Sequence, residues 1–164
     1  MAQTVRVRLD ETAETELTGL RARAAGRGLP VPADRPTVTF AAAATIPAAA
    51  RAALADELRV LTLPALWLAT LGTVAGRDDE LVLAAIVDAE LLAVHAAVHD
   101  ALAGRVRSPF AAYLPGSWLP HCVLASDRPA EAFAALYPVH PVRARVVGVE
   151  IADSRTGTAE PLFS

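Results

Sequence analysis

Tyr113-Leu-Pro-Gly-Ser-Trp-Leu-Pro-His-Cys-Val-Leu-Ala125 is the stretch that decides how the rest of the chain reads. It opens with turn chemistry, Pro115-Gly116-Ser117, and then becomes apolar around a single histidine, the pattern of a loop running into a buried strand. Side chains alternate along a strand, so His121 and Val123 share one face while Cys122 and Leu124 share the other. Cys122 therefore belongs to the packing side, and His121 is an imidazole presented by a sheet.

An earlier stretch repeats this one. Pro36-Thr-Val-Thr-Phe-Ala41 aligns with Pro120-His-Cys-Val-Leu-Ala125, and each copy is followed by an Ala/Leu-rich segment with a proline near its start, Pro47 and Pro129. Two copies imply a duplicated fold. If an approximate twofold relates them, Thr37 and Thr39 face His121 and Val123 across a cleft between two central strands.

A proline followed by H-x-T and a Leu-Ala, twice per chain, with Y-x-P-G-x-W-x-P-H before the second copy, resembles the two-histidine (2H) phosphoesterases, and within them the bacterial 2'-5' RNA ligase (LigT-like) proteins. The likeness runs from the Val5 strand to the strand near Val146 and is most specific at Tyr113 to Ala125. The family's first His falls on Thr37 and its second Thr on Val123, so Thr39 and His121 keep the family's residue types. The resemblance implies a single α+β domain over 1–164, with two pseudo-twofold lobes of about 1–75 and 76–164. Antiparallel-rich sheets would carry helices on their outer faces and enclose a central cleft.

Length and composition fit that expectation. A chain of 164 residues, 54% hydrophobic and 20% charged, is long enough for one substantial core and too short for two independent domains. All 15 basic residues are Arg, and the net charge of -3 gives no global attraction to nucleic acid. Phosphate contacts must be local, and an extended nucleic-acid groove is not expected. One Cys excludes an internal disulfide, and the N-terminus has no apolar signal core. The uncharged run 60–76, with Arg59 and Arg77 at its ends, contains Pro64 and is shorter than the roughly 20 residues of a membrane helix. A soluble cytoplasmic protein without membrane contact is expected; the sequence names no oligomeric state.

In order along the chain, Val5, Val7 and Leu9 alternate with Arg6, Arg8 and Asp10 as a half-buried strand does. Asp10 caps a helix with Ala13, Leu17, Leu20 and Ala24 on its apolar face, stopped by Gly26 and Gly28. A Pro/Gly-rich loop leads to a strand over 37–43. A second helix carries Ala50, Leu54, Leu58 and Leu61, with Thr45 or Ile46 near its cap and Pro47 in its first turn. Strands over 66–74 and 80–87 are joined by a turn at Gly76 to Asp79. Asp88 caps a third helix with the stripe Leu91, Val94, Val98 and Leu102, ending at Gly104. After the His121 strand, Ser126 or Asp127 caps a short helix containing Phe133 and Leu136. One long strand then runs over 142–151, and the tail 155–164 frays or adds an edge strand.

In the resembled family, two His side chains act as general acid and general base on a phosphodiester while two Thr hydroxyls hold its non-bridging oxygens, with no metal and no cofactor. The assignments that follow are His121 and Thr39 as the catalytic pair and Thr37, Tyr113, Trp118 and Arg35 as substrate-binding residues. Tyr113 and Trp118 form an aromatic wall or pack in the core. Arg35, Arg143 and Arg145 form a phosphate clamp or a solvated face. A hydroxyl does not titrate near neutral pH, so Thr37 cannot stand in for an imidazole, and Val123 removes a phosphate donor. The expected protein binds a nucleotide or RNA-end phosphodiester with impaired catalysis. The alternatives are an active cyclic phosphodiesterase, or other enzyme, using His121 as its one acid/base, and a non-catalytic scaffold or partner-binding protein. His95 and His99 sit at i,i+4 on the third helix, a spacing that can hold a metal, but no third ligand is evident and they read as helix-flank residues. His140, before Pro141, reads as structural.

Overall fold

A computed structural model describes residues 2–163; Met1 and Ser164, the last residue of the tail, lie outside them. The chain is α+β. Its elements are β1 (Gln3–Leu9), α1 (Glu11–Ala25), β2 (Thr37–Thr45), α2 (Ala48–Arg59), β3 (Leu66–Val74), β4 (Arg77–Ala85), α3 (Ala89–Leu102), β5 (Arg107–Pro109), β6 (His121–Ala125), α4 (Pro129–Leu136), β7 (Val142–Ala144), β8 (Val146–Asp153) and β9 (Thr158–Pro161). A single 3₁₀ turn, Ala111–Tyr113, precedes the His121 loop. The strands make two antiparallel sheets: sheet A in the order β5-β2-β1-β8-β9 and sheet B in the order β6-β4-β3-β7.

Period-2 burial assigns the two faces of each sheet. On sheet A, Val5, Val7, Val38, Val149 and Ile151 are buried on the face turned toward α3, on which α2 packs. On sheet B, Leu66, Leu68, Leu83, Cys122 and Leu124 are buried toward α1 and α4. Each sheet thus has one face closed by helices, α3 backed by α2 on sheet A and α1 with α4 on sheet B, leaving the opposite faces for the cleft.

The sheets are not successive halves of the chain, so the division into lobes over 1–75 and 76–164 does not hold. β1 sits between β2 and β8 in sheet A, and immediately afterwards α1 crosses to cover sheet B, packing on β6, β7 and α4. The expected single strand over 142–151 is two. β7 belongs to sheet B and β8 to sheet A, and the chain crosses at Arg145. At that crossing the Arg145 N–H leaves any ladder and donates to Asp10 Oδ1 (2.6 Å), while Asp10 N–H donates to Arg145 O (2.9 Å). Asp10 is the N-cap residue of α1, but its carboxylate is spent on this crossing and makes no cap bond.

Several boundaries also move. β4 begins at Arg77, and Ile86 and Val87, expected inside that strand, are exposed beyond it. Pro47 is the N-cap of α2, and Arg128, in left-handed conformation (φ 47°), is the N-cap of α4 in place of Ser126 or Asp127. Asp88 does cap α3, its Oδ1 accepting the Leu91 N–H at 2.8 Å. In α1 the fully buried stripe is Ala13, Leu17, Arg21 and Ala24, so Arg21 takes the place expected of Leu20. The tail forms the edge strand β9, and β5 is a further short edge strand that periodicity did not show. No helix among the described residues is long and apolar enough to cross a membrane.

Candidate functional site

The open faces of the two sheets meet at a cavity of about 360 Å³. Sheet A contributes Arg6 from β1 and Thr37 and Thr39 from β2; sheet B contributes Arg77 and Glu80 from β4 and His121 and Val123 from β6. Tyr113, Arg21, Asp34, Pro32 and Ser126 complete the wall. Alternation is the cause. Val38 and Phe40 point into the core of sheet A, Cys122 and Leu124 into that of sheet B, and the residues between them are left facing the gap.

Register arranges the floor in rows. Arg6 lies opposite Thr39 on one side and Glu150 on the other; Arg8 lies opposite Thr37 and Gly148. A β-carbon on Gly148 would stand 2.6 Å from Arg8 Nη2, so the absence of a side chain there gives the arginine room to lie across β8.

The cations differ in how far they are already committed. Arg6 donates to Glu150 Oε1 (2.7 Å) and Asp34 Oδ2 (2.8 Å) and is neutralised by two carboxylates. Arg21, buried on α1, donates Nε and Nη2 to Val123 O (3.0 and 2.9 Å) and Nη1 to Asp34 O, pinning β6 and the loop before β2. Arg77 donates Nη2 to the neutral Tyr113 hydroxyl oxygen (2.6 Å), and its Nη1 is 3.9 Å from Glu80 Oε2. Of the three arginines lining the cavity, Arg77 therefore has the fewest N–H groups engaged by the protein.

His121 has a defined tautomer. Its Nδ1 lies 2.7 Å from Leu119 O, and a carbonyl only accepts, so Nδ1 carries the proton. In the neutral ring Nε2 is then a free lone pair, with no hydrogen-bond partner among the described residues. Burial pushes the imidazole below its ordinary pKa, the Leu119 bond opposes this, and Arg77 lowers it while Glu80 raises it. The ring is neutral at neutral pH and able to accept one proton at Nε2.

Of the residues assigned from sequence, His121, Thr37, Thr39 and Tyr113 line this cavity together, and Trp118 and Arg35 do not. Trp118 stands behind β2, where its indole Nε1 donates to Thr39 O (2.9 Å). Arg35 precedes β2 and lines a separate surface depression with Glu11, Glu14 and Val147. Arg143 lies over the Trp67 ring, 5.8 Å from its centroid, and neither Arg143 nor Arg145 reaches the cavity. His140 is exposed in the loop before β7.

Arg6, Arg21, Arg77, Asp34 and Glu80 were missed. Two signals pointed to them: Arg6 belongs to the polar set of β1, which faces the cavity rather than water, and Arg21 interrupts an apolar helical stripe. His95 is no flank residue either. The register of β1 on β2 skips Phe40, and β2 turns the Phe40 carbonyl toward α3. His95 Nε2 lies 3.0 Å from Phe40 O and 2.9 Å from Tyr113 O, and His99 Nε2 lies 3.1 Å from Phe40 O. Both His95 partners are acceptors, so its Nε2 carries hydrogen and ties the β2 bulge to the Tyr113 turn.

No three His, Cys, Asp or Glu side chains among the described residues are grouped as metal ligands. Compared with known proteins, the chain matches no family model and no curated sequence.

Proposed function

We propose that this cleft binds a phosphodiester and that the chain is a diverged 2H phosphoesterase-like protein of LigT type, in which proton transfer has been reduced to one imidazole. The observation that carries the reading is the convergence of His121 with Thr37 and Thr39, from two different sheets, on one cavity that also holds Arg77. Two hydroxyls and a guanidinium suit non-bridging phosphoryl oxygens. The lining arginines Arg6, Arg21 and Arg77 are balanced by Asp34, Glu80 and the adjacent Glu150, so the site carries little net positive charge, which suits the single charge of a diester better than the double charge of a monoester.

Hydrolysis of a diester needs one proton removed from the attacking oxygen and one delivered to the leaving oxygen. His121 Nε2 can do the first, and the position facing it on β2 holds Thr37, which returns none. Binding with slow or no turnover is the expected behaviour.

Calorimetric titration with dimethyl phosphate, 2',3'-cyclic nucleotides, 2'-5' linked dinucleotides and an aryl phosphodiester tests this. Binding by at least one diester, weakened roughly 10-fold or more in Arg77→Met through loss of a charge-assisted hydrogen bond, is expected. If no diester binds, or if Arg77→Met and His121→Ala leave binding unchanged, the proposal is wrong.

A further inference from the structure

A second cavity, also about 360 Å³, opens on the other side of His121, Arg77 and Tyr113, which line both. Its remaining wall comes from the β3–β4 turn and the loop before β6: Val74, Ala75, Gly76, Ala112, Ser117 and Leu119. The two cavities differ in chemistry. The first presents arginines, carboxylates and hydroxyls; the second adds one hydroxyl, Ser117, to an otherwise apolar surface. Leu119 and Ala112 are exposed there although apolar, which leaves hydrophobic surface facing the space.

We infer that the ligand is a phosphodiester of an apolar alcohol, an aryl or branched alkyl ester, whose organic group occupies this second cavity while its phosphoryl oxygens face Thr37, Thr39 and Arg77. The inference rests on the phosphodiester reading and narrows its substrate class. The shared residues place the junction between a ligand's charged and apolar parts beside His121. That junction is the bridging ester oxygen, where a proton-transfer group has its use.

A nucleoside fits this chamber poorly. Recognition of a base edge needs paired donors and acceptors, and the chain offers few. It has no Asn, and its one Gln, Gln3, is buried with its amide bonded to Asp153 Oδ2 and the Ile46 N–H. Ring nitrogens and exocyclic amines placed against Val74, Ala112 and Leu119 would lose water without replacement. An apolar ring loses nothing there and gains by leaving water.

Isothermal titration of the full chain with dimethyl phosphate, bis(4-nitrophenyl) phosphate and 2',3'-cyclic GMP separates the possibilities. The aryl diester is expected to bind at least roughly 10-fold more tightly than dimethyl phosphate, the scale of burying one ring, and more tightly than the cyclic nucleotide. Ala112→Trp, which fills the chamber, should bring the aryl-to-methyl ratio toward one; Ala75→Trp on the opposite wall reads the same ratio if that variant folds poorly. A cyclic nucleotide that binds as well as the aryl ester, or a ratio unchanged in both variants, overturns this inference and leaves the phosphodiester reading standing. Silence from all three ligands removes both.

Discussion

The indole of Trp118 lies flat on the His95 imidazole, with ring centroids 3.9 Å apart and planes within 3° of parallel. Trp118 thereby holds the turn before β6 against α3, while its Nε1 reaches the Thr39 carbonyl behind the cleft. A neutral His95 suits this arrangement. Burial, together with the neighbouring His99, lowers its pKa from 6.5 to about 4, against the raising effect of its bonds to Tyr113 and Phe40. The unfolded chain then takes up a proton below about pH 6.5 that the folded chain refuses until about pH 4. Stability from this group is complete above the unfolded value and is lost as pH falls through that window. Urea unfolding at pH 4.5 against pH 7 should show roughly 2 to 3 kcal/mol less stability attributable to His95. His95→Gln, which keeps an N–H donor without titrating, should flatten that part of the slope; an unchanged slope would refute it.

Restoring the residue types of the resembled family should raise turnover. Thr37→His with Val123→Thr puts an imidazole on β2 and a hydroxyl on β6, both at positions that already face the cavity. The pair is changed together because groups acting as a catalytic unit are not additive. Turnover of a cyclic or aryl phosphodiester should rise by roughly 10²-fold over the parent, the low end for one added proton-transfer group. A folded double variant with no gain would count against the phosphodiester assignment.

Cleft and core substitutions should separate in stability. Leu124, fully buried beside Cys122, should cost about 2 to 5 kcal/mol on change to Ala. Thr37→Ala and His121→Ala remove half-buried side chains that face the cavity, and each should cost less than about 1 kcal/mol. Thermal melts of the three variants decide it, and comparable losses in all three would mean that the cleft residues are packing residues.

Cys122 should react with thiol reagents at the rate of global unfolding. It is 0% exposed, and burial drives its thiol up to about 11 despite the lowering influence of Arg21. Labelling followed over a urea series should track the unfolded fraction. Rapid modification in buffer alone would contradict the packing of β6 against α1.

The two facing strands were legible because alternation in a half-buried strand leaves little freedom: Thr37, Thr39 and His121 face the cavity for the same reason that Val38, Cys122 and Leu124 do not. Trp118 was misread because its place depends on the skipped residue Phe40, and a bulge shifts the face without marking the local sequence. The 142–151 segment read as one strand because its apolar composition is continuous across Arg145, where the tie that divides it comes from Asp10, 135 residues away. Arg77 was hidden in turn chemistry, since a residue next to Gly76 gives no sign that it will stack over a tyrosine. Long-range pairing decided each of these.

The placement of β1 has a consequence for the nascent chain. Its partner β2 follows within a few tens of residues, but Arg6 and its β8 partner Glu150 are 144 residues apart. At about 5 to 20 residues per second, β1 waits roughly 7 to 30 s on the ribosome with one hydrogen-bonding edge open. Such an edge invites pairing with other chains, and charged side chains along it discourage that. Arg6 and Arg8, which later lie on the cleft face of the sheet, are charges of that kind, carried by the strand before β8 arrives to cover its edge.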